Sequence, residues 1–201
     1  EGLLRLIDSD CTHWAKGNKM TASRITHLIT SCTKGKHFQC GSRAELSIRA
    51  GETPEEAMAS WAATIRRSQS ASPVPALSLY TGNHWSTAKE ILRTTENLEL
   101  WVISAGLGFL NSRDLVDVYE ATFHNLPFSH RHWWRELTNT FGKERSENSI
   151  GTLMEARPTD DYVIAASPVY IAAVEDDILA GVGKLNNPIA QLTVVTSGAY
   201  S

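Results

Sequence analysis

The sequence has no run of the roughly 18 to 20 consecutive apolar residues that a membrane-spanning helix needs. Its first residues, Glu1-Gly2-Leu3-Leu4-Arg5, lack the pattern of a secretory signal. Cysteine is scarce: Cys11, Cys32 and Cys40 are an odd number whose spacings fit neither a disulfide framework nor a zinc site. A reducing, cytoplasmic setting with no membrane contact is expected. Positive charge is also short, 19 Lys and Arg against 22 Asp and Glu, and the net charge of −3 excludes a global polycation while leaving room for a local phosphate-binding patch. With 13 Gly, 7 Pro and no internal repeat, the chain is neither collagen-like nor low-complexity. The first residue is not Met, so further chain upstream is expected, with residues 1–22 read as an N-terminal extension.

What remains is ordinary globular composition, 42% hydrophobic and 20% charged over 201 residues, which fits one domain, 1–201, around one core. Four short β-rich runs read as strands: Arg24 to Thr30, Leu98 to Ser104, Asp161 to Ser167 and Gln191 to Ser197. Between them lie helical patterns. The clearest is Pro54 to Ser68, with Thr53 as N-cap, Pro54 as first helical residue and Glu56 closing a capping box. Others are His84 to Thr94, Ser112 to Phe123, Ser129 to Phe141, and Pro168 to Ala180, the last opened by Ser167 as N-cap. Strands alternating with helices predict an α/β fold: a Rossmann-like three-layer sandwich on a mostly parallel sheet of about four or five strands.

Each predicted strand ends in small hydroxyl residues, at Thr30-Ser31-Cys32, Ser104-Ala105-Gly106, Ser167-Pro168 and Thr196-Ser197-Gly198. Such carboxyl ends line one edge of an open parallel sheet, where ligands bind and helix N-termini offer amide donors, although a Ser or Thr there also serves simply as a helix cap. The first end runs into Ser31-Cys32-Thr33-Lys34-Gly35-Lys36-His37, in which Gly35 permits a tight turn and Lys34 and Lys36 suit an anion. It lacks the glycine spacing and Lys-Ser/Thr ending of a Walker A loop. Cys32, beside two lysines, is a candidate nucleophile; the alternative is a small buried hydrophobe. The second end, Ser104-Ala105-Gly106-Leu107-Gly108, has glycines that let a backbone approach a ligand, or that simply turn the chain. It is not a hydrolase nucleophile elbow.

His124, His130 and His132 lie near Trp133 and Trp134. His130 and His132 diverge on a helix and make a poor metal pair, so no metal or other cofactor is expected. A polar, aromatic surface face is expected there; with Arg131, Trp134 and Arg135 it would pair cations with stacking rings for nucleic acid or a partner protein. Glu175-Asp176-Asp177 reads as a solvated helix face.

In chain order the motifs are Ser31-Cys32-Thr33-Lys34-Gly35-Lys36, Leu79-Tyr80-Thr81-Gly82, Ile103-Ser104-Ala105-Gly106-Leu107-Gly108-Phe109-Leu110 and Asp114-Leu115-Val116-Asp117-Val118-Tyr119. The pattern resembles a bacterial α/β domain family of uncharacterised function with Cys-Ser-x-x-Lys, Tyr-Thr-Gly and Leu-Ser-Ala-x-Tyr-Gly-Leu signatures. That family is distantly similar to YaaA-type peroxide-stress proteins and to the Cys-Ser-x-x-Lys domain of archaeosine synthase. Thr33, Leu107 and Val118 depart from it, and Leu107 stands where a tyrosine hydroxyl is usual. The resemblance implies a nucleotide, nucleobase or nucleic-acid ligand, in a bacterial stress or antiviral setting. The expected catalytic residues are Cys32, Lys36, Ser104 and Tyr119, and the expected ligand contacts are Ser31, Lys34, Tyr80, Thr81, Gly106, Gly108 and Ser167. Nucleobase modification or glycosidic chemistry is the first expectation; a non-catalytic DNA- or RNA-binding or protein-interaction module of a larger assembly is the second.

Overall fold

The computed structural model describes residues 24–37, 43–143 and 145–197. Cys11, Cys40, Gly198 and the segment 1–22 lie outside the described residues. The elements in chain order are strands β1 (Thr26–Ser31) and β2 (Ala44–Glu45), helix α1 (Pro54–Arg67), strand β3 (Val74–Pro75), and helices α2 (Ala76–Leu79) and α3 (Asn83–Thr94). Strands β4 (Leu98–Ser104), β5 (Gly108–Asn111), β6 (Leu115–Val116) and β7 (Tyr119–Glu120) follow, then a 3-10 turn at Phe123–Asn125. The last part holds helices α4 (His130–Phe141) and α5 (Ile150–Ala156), strand β8 (Asp161–Ala165), helices α6 (Pro168–Val182) and α7 (Pro188–Gln191), and strand β9 (Leu192–Val195).

The fold is mixed α/β, built on a five-stranded sheet ordered β5-β4-β1-β8-β9. β4, β1, β8 and β9 run parallel and β5 is an antiparallel edge strand. β1 is central and buried nearly throughout, with Leu28 and Ile29 in the apolar core and its buried polar residues, His27 and Thr30, hydrogen-bonded within the protein. Helix α1 begins as its residues dictate, with Thr53 and Glu56 exchanging both capping-box hydrogen bonds. At the amino end of the sheet, buried His27 donates from Nε2 to Asp160 at 3.1 Å while its Nδ1 accepts from Trp101 Nε1 at 3.1 Å, and the ring stacks on Tyr162.

The expected helix over Ser112 to Phe123 is absent. That stretch forms β6, paired antiparallel to β3, then β7, parallel to β2, then the 3-10 turn. Tyr119, Ala121 and Phe123 are buried at alternate positions, so a two-residue period and pairing to distant partners override the helical pattern. Helix α5 was not expected; it is short, with Ser149 and Thr152 forming its capping box.

Candidate functional site

Two loops meet above the carboxyl end of β1. Cys32 extends the β1–β4 pairing by donating its amide to Ile103 at 2.9 Å. Gly35 to His37 then lies antiparallel to Leu79 to Thr81, with His37 N donating to Leu79 O at 2.8 Å and Thr81 N to Gly35 O at 3.0 Å. Gly35 suits this close pairing, since a Cβ would sit 2.6 Å from Thr81 Oγ1 and the threonine side chain would have to turn away. This pairing sets Lys36 directly against Tyr80.

Below the loops lies a buried polar network. The Tyr80 and Tyr119 hydroxyls are 2.7 Å apart, and the Tyr119 hydroxyl is 2.6 Å from Ser104 Oγ. Ser104 Oγ also accepts the amides of Leu107 at 2.8 Å and Gly106 at 3.2 Å, so the turn after β4 fixes the serine that holds Tyr119. Lys36 reaches over both rings, its Nζ 4.8 Å from the centre of Tyr119 and 5.9 Å from that of Tyr80. It donates to Thr33 O at 3.1 Å and makes a loose ion pair with Glu120 at 3.9 Å, while Arg43 holds the same carboxylate at 3.2 Å. Cys32 Sγ lies 3.2 Å from the Tyr170 hydroxyl in the first turn of α6.

The electrostatics follow from burial. The Lys36 side chain is 5% exposed, and burial lowers its pKa against the opposing pull of Cys32 and Glu120. Burial raises the pKa of Tyr80, Tyr119 and Tyr170, which stay protonated at neutral pH and can serve as hydrogen-bond donors.

Cys32, Lys36, Tyr80, Ser104 and Tyr119, all expected from the sequence, are therefore brought together. Ser31 is buried beside Cys32. Lys34 and Ser167 are exposed and Thr81 half-buried, forming a rim; Ser167 is the N-cap residue of α6 but makes no side-chain capping bond. Gly106 and Gly108 differ from expectation, because protein rather than an open ligand surface makes the close approaches they permit. A Cβ on Gly106 would meet the Tyr119 ring at 2.6 Å, and one on Gly108, at φ +76°, would meet the Leu137 backbone at 3.4 Å.

The aromatic segment is corrected more fully. Trp133 and Trp134 are buried, their indole nitrogens donating to Ala105 O at 3.0 Å and Asp177 at 3.1 Å. α4 is amphipathic, and these rings are its inward face. Arg131 is paired with Glu175 and Asp176, and Arg135 is exposed. Asp177 is no solvated residue either: it accepts the Ile150 and Gly151 amides, each at 2.9 Å, at the start of α5.

Sequence reasoning missed His84, Glu120 and Tyr170, and marked Thr30 only as a hydroxyl strand end. Thr30 Oγ1 donates to Ala165 O at 2.8 Å and lies 2.5 Å from His84 Nε2. Its one hydrogen being used, it accepts from His84 Nε2–H, which leaves Nδ1 as the unprotonated ring nitrogen. His84 follows Tyr80-Thr81-Gly82 by one residue, so proximity to that motif was the available signal.

The chain belongs to DUF6884, a family of unknown function, which it matches over residues 64–196. No curated protein and no solved structure matches it.

Proposed function

We propose that this member of the DUF6884 family is a nucleotide- or nucleobase-directed enzyme domain with its site at the carboxyl ends of β1 and β4, where Lys36 meets Tyr80 and Tyr119. The observation that carries the reading is the ammonium of Lys36, its side chain 5% exposed and its one ion pair among the described residues 3.9 Å long. Burying a cation with so weak a counter-ion costs folding free energy, and such groups concentrate where chemistry uses altered basicity.

Lys34 on the rim and Lys36 within it receive the phosphate or carboxylate of the ligand. Cys32, buried against Tyr170, supplies the candidate thiol, and Tyr80 is the neutral donor to a base edge, positioned by Tyr119 and Ser104, whose own protons are used within the network. His84, oriented by Thr30, accepts a proton at Nδ1. The parallel order β4-β1-β8-β9 supports this location. The chain goes from β1 to β4 and then crosses to the other side of β1 at β8, so the switch point, where ligand crevices open in Rossmann-like folds, lies at the carboxyl ends of β1 and β8, where Cys32 meets Tyr170 of α6. The resemblance of the Cys32 to Lys36 element to one in archaeosine synthase, and the distant similarity of such domains to YaaA-type proteins, are the grounds for assigning nucleobase modification or glycosidic cleavage in a bacterial stress or phage-defence setting. A nucleic-acid-binding module has less support, because Trp134 is buried and Arg131 already paired.

Native mass spectrometry of freshly purified wild type and Lys36→Ala tests the reading. A nucleotide or base retained by wild type and lost from the variant is expected. Nucleic acid kept by both proteins and stripped by high salt would overturn it in favour of the binding module.

A further inference from the structure

We propose that Glu55, His132 and Glu136 form a binding site for a divalent first-row transition-metal ion of the zinc type, held between α1 and α4. The site shares no residue with the strand-edge network and does not rest on its reading.

His132 and Glu136 are four residues apart and so occupy one face of α4, while Glu55 reaches them from the first turn of α1. His132 Nε2 lies 2.8 Å from Glu55 Oε1 and 3.7 Å from Glu136 Oε1, and the three donor atoms all fall within 4.8 Å of one another. Two ligands each bound about 2.1 Å from a tetrahedral ion are about 3.4 Å apart, so an ion fits after a small movement of Glu55, whose side chain is 57% exposed.

The spacing of the two helices is fixed from below. Trp61 of α1 donates to Gly106 O at 2.6 Å and Trp133 of α4 to Ala105 O at 3.0 Å, so both helices are pinned to consecutive carbonyls of one turn. This anchoring fixes the two helices that carry the donors, leaving only side-chain adjustment to bring Glu55 to an ion.

Charge completes the case. Among the described residues neither Glu55 nor Glu136 has a lysine or arginine partner, and two carboxylates face one imidazole. A neutral imidazole with two carboxylates favours zinc or its first-row neighbours over magnesium and calcium, which prefer oxygen alone. The partial exposure of all three side chains leaves coordination positions for water.

The test is calorimetric titration of the chain with Zn²⁺ alone, with Mg²⁺ as comparison, on wild type, Cys32→Ser, Glu136→Gln and His132→Ala. Wild type and Cys32→Ser should bind one Zn²⁺ each, Glu136→Gln should bind at least about tenfold more weakly, and His132→Ala should lose the site, with melting temperatures in chelator unchanged. Should a helix α4 variant fail to fold, Glu55→Gln on the exposed first turn of α1 replaces it, with the same tenfold loss expected. Equal Zn²⁺ binding by folded variants, or no saturable binding at millimolar Zn²⁺, would overturn the proposal and leave His132 as an ion-pair partner of Glu55.

Discussion

The ammonium nitrogen of Lys36 lies 4.8 Å from the centre of the Tyr119 ring, and the hydroxyl of that ring is tied to Ser104 and Tyr80. One residue thus links a charge from the loop after β1 to the turn after β4. Aromatic faces soften the cost of a buried cation without matching a close carboxylate.

Replacing Lys36 by methionine keeps the packing of the stem and removes the buried charge. The Lys36→Met protein should be as stable as wild type or more so, by up to about 2 kcal/mol. Lys36 has a lowered pKa when folded, so below its ordinary value of 10.5 the unfolded chain binds more protons and wild-type stability should rise with pH until that value is reached. Urea midpoints between pH 7 and 10 check both points: wild type should gain on Lys36→Met as pH rises. A large loss of stability in Lys36→Met would instead make the lysine a structural prop.

The glycine under Tyr119 makes a separate prediction. In Gly106→Ala the new methyl would meet ring carbons at 2.6 and 2.7 Å and Ala121 at 3.0 Å, forcing Tyr119 out of its hydrogen bonds. The expected cost is about 1 to 3 kcal/mol, read as a lower urea midpoint. An unperturbed variant would show that the ring has room to move.

Much of this arrangement was legible in the sequence. The apolar runs around Leu28 and Ile29 and from Leu98 to Ser104 announced β1 and β4, and Thr53-Pro54 with Glu56 announced α1, because strand burial and capping are local properties. Cys32, Lys36 and Ser104 stood out because each follows or ends a strand-like run, whereas Tyr80 and Tyr119 were named only through the family resemblance. Their partners were not visible. Tyr170 lies 138 residues beyond Cys32, and only the packing of α6 brings them together. The inward orientation of Trp133 and Trp134 was hidden for a related reason: an amphipathic pattern marks two faces without saying which neighbour covers the aromatic one. The antiparallel β5 was concealed by the glycines that turn the chain into it.

His27, at the opposite end of the sheet, carries a prediction about acid stability. Burial lowers its pKa despite the opposing bond to Asp160 and the charge of Glu99. Below the ordinary value of 6.5 the unfolded chain takes up a proton that the folded protein accepts only at lower pH, so stability falls as pH falls through that window. In His27→Gln this decline between pH 7 and 5 should be shallower, by at most about 1.4 kcal/mol per pH unit. Urea unfolding of both proteins across that range checks it, and parallel pH profiles would assign the acid sensitivity to other groups.

The most direct test of the site is calorimetric titration with nucleoside 5′-monophosphates, run on wild type, Lys36→Met and Arg135→Ala. The account predicts saturable one-to-one binding by wild type and Arg135→Ala, weakened at least tenfold, about 1.4 kcal/mol, in Lys36→Met. Equal binding by all three proteins, or none by wild type, would contradict it.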